Sequence, residues 1–312
     1  MQQKKIRTAA KKKSLKTRFL KSWQLYVLLL PTILYYILFE YAPMYGVQIA
    51  FRNYKITLGI TGSNWVGLKH FKNFFESYYS GRLIINTILL NIYGILWGFW
   101  PAIVMALMLN YIRSIRLKRV IQTVIYIPKF VSTIVIAGML YLFASPNGGI
   151  FNLIREFFGL SPINYMMEPG AFRTLFIGSG IWQAAGYGTL LYIAALSGID
   201  PSLYEAAEID GASIWRKMWH IDIPSMLPTI AMSLIMNFGG ILNSATEKAL
   251  ALQTSGNTPV SDIIGVYVYN HGILGANYSY SAAISLFTNV INMAMLILAN
   301  KISKKMADVA MF

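Results

Sequence analysis

Six stretches of about 20 or more mostly apolar residues, near 23–42, 83–110, 120–143, 173–197, 225–246 and 281–300, constrain what this chain can fold into. In hydrocarbon every backbone N–H and C=O must find a partner inside the segment, so stretches of this length read as helices. The expected fold is an all-α membrane protein with six transmembrane helices. Only 12% of the residues are charged, about half the share of a soluble domain, which excludes water as the sole solvent. Glu40 stands near the end of the first stretch and Lys129 follows Pro128 in the third. The first stretch is too long for a cleavable signal peptide, and no small-residue cleavage site follows it.

The formal charge of +15 would suit a nucleic-acid binder, but its placement argues otherwise. With both termini cytoplasmic, the inner segments are 1–22, 111–119, 198–224 and 301–312, and they hold roughly two thirds of the Lys and Arg, the positive-inside bias. The basic segment 1–22 then reads as an orientation signal that touches anionic lipid. It precedes a transmembrane domain over 23–312, whose core spans occupy 83–300.

Three outer loops remain, at 43–82, 144–172 and 247–280. In the first, the run Val47 to Tyr54 is expected to pair as strand. In the second, Ile150 to Phe158 is apolar at helical spacing, which predicts a short helix on the outer surface.

The inner loop at 198–224 is too structured to be a tether. Asp200 is placed to cap a helix and Pro201 to occupy its first turn, with Glu205 and Glu208 expected to complement the positive end of its dipole. Gly211 supplies the left-handed residue that ends it. A second short amphipathic helix, with Ile214, Met218 and Ile221 on one face, is expected to run to Pro224. The pair forms a knob. From physics alone it serves equally well as the plug for a partner's socket or as an interfacial helix resting on lipid headgroups.

Glu205-Ala206-Ala207, then Gly211, then Ile221-Asp222-Ile223-Pro224, resembles the EAA loop of ABC importer permeases, with Ile223 where the family usually has Leu. Asp210-Gly211-Ala212 is similar to the sugar-importing, maltose-permease-like branch. Phe39 to Gly46 and Phe51-Arg52-Asn53-Tyr54 resemble the subgroup serving oligosaccharides released from plant or algal polysaccharides. The resemblance implies a type I ABC importer permease fold in the bacterial cytoplasmic membrane. It also implies a second homologous permease, two copies of a cytoplasmic ATPase and an extracellular solute-binding protein as partners. On this reading 198–224 is the coupling loop. Glu205, Ala206, Ala207, Asp210 and Gly211 meet the ATPase, while Trp215 and Trp219 serve equally as ATPase contacts or interfacial anchors. ATP and magnesium belong to the partner, in keeping with the lack of a Gly-x-x-x-x-Gly-Lys-Ser/Thr loop here.

Polar groups inside spans are expensive and point to function. Trp182, Gln183 and Tyr187 in the fourth span, with Asn237, Asn243 and Ser244 in the fifth, combine aromatic faces for sugar rings with amides and hydroxyls for their hydroxyl groups. Tyr187, Asn237 and Ser244 resemble positions that line the sugar site of the maltose permease. The same residue types also join helices to one another, as Asn289 and Asn292 in the last span are expected to do. Gly178, Gly180, Gly239 and Gly240 read as helix-packing positions.

His70, His220 and His271 lack ligand spacing and cysteine is absent, so no metal site is expected. No nucleophile has a positioned base, which argues against an enzyme. An ion-coupled secondary transporter is the alternative, although internal repeats and buried carboxylates are not evident. A purely structural anchor would leave the knob unexplained. External charge is mixed, compatible with acidic oligosaccharides without requiring them.

Overall fold

The computed structural model describes residues 23–243 and 245–307; the basic segment 1–22, Ser244 and residues 308–312 lie outside the described residues. The chain starts with α1, Trp23–Tyr36, continued by π and 3-10 turns to Phe51. None of the residues of α1 is buried, so an apolar helix of this kind has lipid for its solvent. The first outer loop departs from expectation. Tyr45–Phe51 is a 3-10 helix, and strand is confined to β1, Arg52–Lys55, antiparallel to β2, Ser63–Trp65, in the register Arg52↔Trp65. The β-branched content of the run is low, and the helix that precedes it simply continues. α2, Lys69–Glu76, then leads to α3, Ser80–Asn110.

The third apolar stretch is broken. α4, Ile115–Tyr126, and α5, Thr133–Phe143, meet at 94° across the 3-10 turn Ile127–Phe130. Pro128 lacks the N–H that a continuing helix needs, and Ser132 restarts the chain by accepting from the Val135 N–H at 3.3 Å. Lys129 sits exposed at this corner.

Beyond it lies the expected surface helix α6, Ile150–Phe157, followed by α7, Pro169–Ser197. The coupling segment holds α8, Pro201–Ile209, and α9, Ile214–Lys217. α9 does not stop at Pro224. It passes through a π turn, Met218–Asp222, into α10, Ile223–Gly239: the Ile223 N–H bonds back to the Met218 carbonyl, and this widened turn carries the helix past the N–H that Pro224 lacks. α10 ends at Gly239 rather than near 246, so Asn243 lies in the turn that follows. α11, Thr246–Leu252, α12, Ile264–Val268, and the long α13, Tyr278–Ala307, complete the chain.

Among the described residues four helices are long and apolar enough to cross a membrane, five when the bent pair counts as one span. α7, at 29 residues, is nearly as long as the 31-residue α3 but is diluted by Gly178, Ser179, Gly180, Gln183, Gly186 and Gly188.

α3 and α7 form the spine. Toward the inner end Ala102, Ile103, Ala106 and Leu107 pack against Tyr192, Leu196 and Met226. Toward the outer end Leu90 joins Phe172, Phe176, Ile136 and Val266. Lipid tails are as apolar as these side chains, so close fit rather than water exclusion holds the helices. Gly186 shows how close: a Cβ there would collide with the carbonyl of Ile125 on α4. Gly239 likewise packs against Leu296 of α13, whereas Gly178 has open space before it, against the packing role expected of it.

Candidate functional site: a cavity between helices and an exposed knob

Where α3, α7 and α10 diverge they enclose a cavity of about 1090 Å³. Gln183, Tyr187, Asn237 and Asn243 all line it, with Asn91 and Ser233. Trp182 points to the other side of α7, into a separate pocket of about 360 Å³ with Ile136, Phe143 and Phe151. Ser244 lies outside the described residues.

The cavity amides are already held. The Gln183 side chain donates to the carbonyl of Val131 at 2.9 Å, tying α7 to the corner between α4 and α5. Asn237 donates to Ser233 at 2.8 Å within α10. Asn292 of α13 donates to Asn243 at 2.9 Å and accepts from the Leu242 N–H at 2.9 Å, which fixes the turn after α10. These bonds leave Gln183 Oε1 and Asn237 Oδ1 as acceptors toward the cavity, and the exposed ring of Tyr187 stands edge-on to Tyr126 and Phe130. Such a lining offers donors, acceptors and aromatic faces, the chemistry that a saccharide's hydroxyls and apolar ring faces require.

Sequence reasoning missed Lys248 of α11. Its ammonium lies in this cavity, donating to the Phe176 carbonyl at 2.6 Å and resting 4.9 Å from the centre of the Phe176 ring. A lysine just beyond an apolar stretch read as an outer-loop charge, and only the early end of α10 turns it inward.

The knob forms as expected at its ends. Asp200 caps α8 by accepting from the Ser202 N–H at 2.9 Å, and Gly211 has φ +67. The carboxylates do otherwise. Glu205 and Glu208 lie beyond the first turn, too far along α8 to serve the dipole. Glu208 instead accepts from Lys217 at 2.9 Å, locking α8 to α9, and this pairing holds its carboxyl below the usual carboxylate range. Glu205, Ala206, Asp210, Trp215 and Trp219 are exposed together on the knob, with Ala207 half-buried. Ile209, unremarked in the sequence, is 88% exposed at its tip, an apolar group left uncovered by the described residues.

Beneath the knob lies a second feature the sequence concealed. Asp222 is fully buried and accepts from the hydroxyls of Tyr204 on α8 and of Tyr111 at the foot of α3, the latter at 2.7 Å. Burial, then the bond to Asp222, raises the ionisation of both tyrosines well above the ordinary phenol value, so both hydroxyls remain donors. The available signal was a carboxylate at the entrance to a span, passed over as a variable position in the loop's closing motif.

Residues 94–308 match the family described as binding-protein-dependent transport system inner membrane component. The chain is 37% identical over 298 residues to the polygalacturonan/rhamnogalacturonan transport system permease protein YteP of Bacillus subtilis (strain 168), covering 96% of this chain and 93% of that one. It is 39% identical to Protein LplB of the same organism, covering 92% and 91%. Among solved structures it is similar to a chain of a bacterial ABC transporter involved in the import of the acidic polysaccharide alginate. The TM-score is 0.86 at 34% identity, over 94% of this chain and 99% of that chain. A bacterial alginate ABC transporter in complex with an alginate pentasaccharide-bound periplasmic protein gives the same TM-score.

Proposed function

The chain belongs to the family of binding-protein-dependent transport system inner membrane components, and from that membership we propose how it works. It is a permease subunit of an ABC oligosaccharide importer in the bacterial inner membrane. With a second, homologous permease it encloses the translocation path, and two copies of a cytoplasmic ATPase drive it. A solute-binding protein delivers saccharide to the outer loops. Relatives whose names specify polygalacturonan, rhamnogalacturonan and alginate support fragments of plant or algal polysaccharide as the cargo.

One observation carries this reading: the exposed knob is hydrogen-bonded, through Asp222, to helices that wall the cavity. α8 presents Glu205, Ala206 and Ala207, which with Asp210, Gly211, Trp215, Trp219 and Ile209 form the face offered to the ATPase. Small side chains let the partner approach, and Glu205 supplies a carboxylate for a basic or hydrogen-bonding group. When the ATPase pair closes, the force on α8 reaches the root of α10 and the foot of α3 at once. Gly94, Gly98 and Ala102 of α3 and Ser233, Met236 and Asn237 of α10 then move as opposing walls. Gln183, Tyr187, Asn237 and Asn243 contact the sugar, with Ser244 beside Asn243, while Trp182, on the other side of α7, stays out of the set.

The broken pair of α4 and α5 and the long α7 bring the count to six spans with both termini cytoplasmic. α7 supports this by running along α3, and its lower apolarity follows from facing the cavity. The transmembrane domain is 23–312, with its core at 83–300, the coupling loop at 198–224 and a basic cytoplasmic segment at 1–22. This chain performs no catalysis and holds no cofactor or metal; ATP and magnesium are bound by the ATPase.

Purification of the tagged chain from its native membrane tests the assembly. A second permease and an ATPase are expected to come with it, and the Glu205→Ala chain is expected to recover the permease without the ATPase. Recovery of the chain alone would contradict the reading.

A further inference from the structure

Lys248 is an anomaly that the coupling mechanism does not use. Its side chain is 5% exposed, yet among the described residues no carboxylate pairs with it, and no acidic residue lines the cavity it faces. An ammonium has three donors, and the protein provides one carbonyl and one ring face. Burying a charge so sparsely satisfied is costly, and a polar cavity walled by apolar helices strengthens its pull on an anion. Around it stand neutral amides and hydroxyls suited to a sugar, but nothing else that discriminates by charge.

We propose that Lys248 is the carboxylate-recognising residue of the translocation cavity, selecting saccharides that carry uronate groups over neutral ones of the same size. The inference rests on the permease reading and adds to it the charge of the cargo and the residue that reads it. The uronate carboxylate takes the unfilled donor position of the ammonium, while its ring hydroxyls meet Gln183, Asn237 and Asn243. Release toward the cytoplasm follows when movement of α10 and the adjoining turn withdraws Asn237 and Asn243 from the sugar.

The test uses the complete complex in proteoliposomes with its binding protein. Import of a galacturonate tetrasaccharide is compared with import of the same tetrasaccharide whose carboxyls have been reduced to hydroxymethyl groups. Lys248→Gln is expected to lower the uronate-to-neutral import ratio about tenfold, the equivalent of losing one charge-assisted hydrogen bond. Gly180→Asp keeps the lysine but sets a carboxylate beside it, since a Cβ at Gly180 would lie 3.3 Å from Lys248 Nζ, which need shift by only a few tenths of an ångström. The same fall in ratio is expected, from a chain that still carries the lysine. A ratio unchanged in both variants would overturn the proposal, as would equal loss of both substrates in the Gln variant. Import of only the neutral saccharide by the wild-type complex would overturn this inference alone. Import of neither would overturn the permease reading together with it.

Discussion

The hydroxyl of Tyr204 donates to the carboxylate of Asp222, joining the middle of the exposed knob to the root of a cavity-lining helix. Tyr111 donates to the same carboxylate from the foot of α3, so three elements meet at one buried acceptor. A hinge built this way transmits displacement instead of absorbing it.

Asp222→Ala removes the acceptor shared by two half-buried hydroxyls, of which Tyr204 keeps its bond with the Asn110 side chain, at a cost of about 1–3 kcal/mol for a group left unsatisfied. The ATPase should still bind, because the exposed face of α8 is untouched, but its strokes should no longer reach α10. ATP hydrolysis continuing while saccharide import falls tenfold or more is the expected outcome, measured on one preparation. Tyr111→Phe should give a smaller loss in the same direction, since Tyr204 still joins α8 to Asp222. Equal losses of import and hydrolysis would remove the relay.

At the knob's surface Glu205→Ala should weaken ATPase binding without altering the fold, because the side chain is exposed and carries no internal bond in the described structure. Loss of a charge-assisted contact corresponds to roughly tenfold in affinity. Ile209→Ser should act in the same sense, by removing apolar area left uncovered by the described residues. Titration of the solubilised permease pair with purified ATPase measures both.

Two carboxylates of the knob, the capping Asp200 and the ion-paired Glu208, are held below their ordinary values, by the Ser202 N–H and by Lys217 respectively. A depressed carboxylate contributes stability that is present above its ordinary value and lost as pH falls through the depressed one. The knob should therefore be insensitive to pH from neutrality down to about 4 and loosen below it. Hydrogen exchange over residues 201–217, corrected for intrinsic rates, reports the change; Asp200→Asn and Glu208→Gln together should flatten it.

Glycines within the spans should separate by what lies opposite. Gly186→Ala drives a methyl into the Ile125 backbone, which cannot step aside as a side chain can, and should cost about 1–3 kcal/mol of packing or more. Gly178→Ala meets open space and should leave detergent stability unchanged. Thermal aggregation midpoints of the two variants check the contrast.

The sequence made much of this legible. The length of the apolar runs located α3, α7, α10 and α13, Pro128 marked the corner in the third, and Asp200, Pro201 and Gly211 placed both ends of α8. Gln183, Tyr187, Asn237 and Asn243 could be picked out as polar residues in or beside apolar helices. Long-range placement was not legible. Whether Trp182 faces the cavity depends on which side of α7 meets α3, and Lys248 enters the cavity only because α10 stops at Gly239. Asp222 resembled its neighbours in an ordinary motif until Tyr111, far away in the chain, arrived beside it. The strand expected over 47–54 shrank to four residues because a helix entering from the membrane continued through it.

Accumulation of radiolabelled oligosaccharide inside proteoliposomes measures the central claim most directly, with this chain, its second permease, the ATPase and the binding protein reconstituted together. Uptake should require ATP on the ATPase side, require the binding protein on the other, and fall when Glu205→Ala replaces the wild-type chain at an ATPase concentration that just saturates the latter. Uptake that persists without the ATPase and follows an imposed ion gradient would contradict the coupling loop and identify an ion-driven transporter instead.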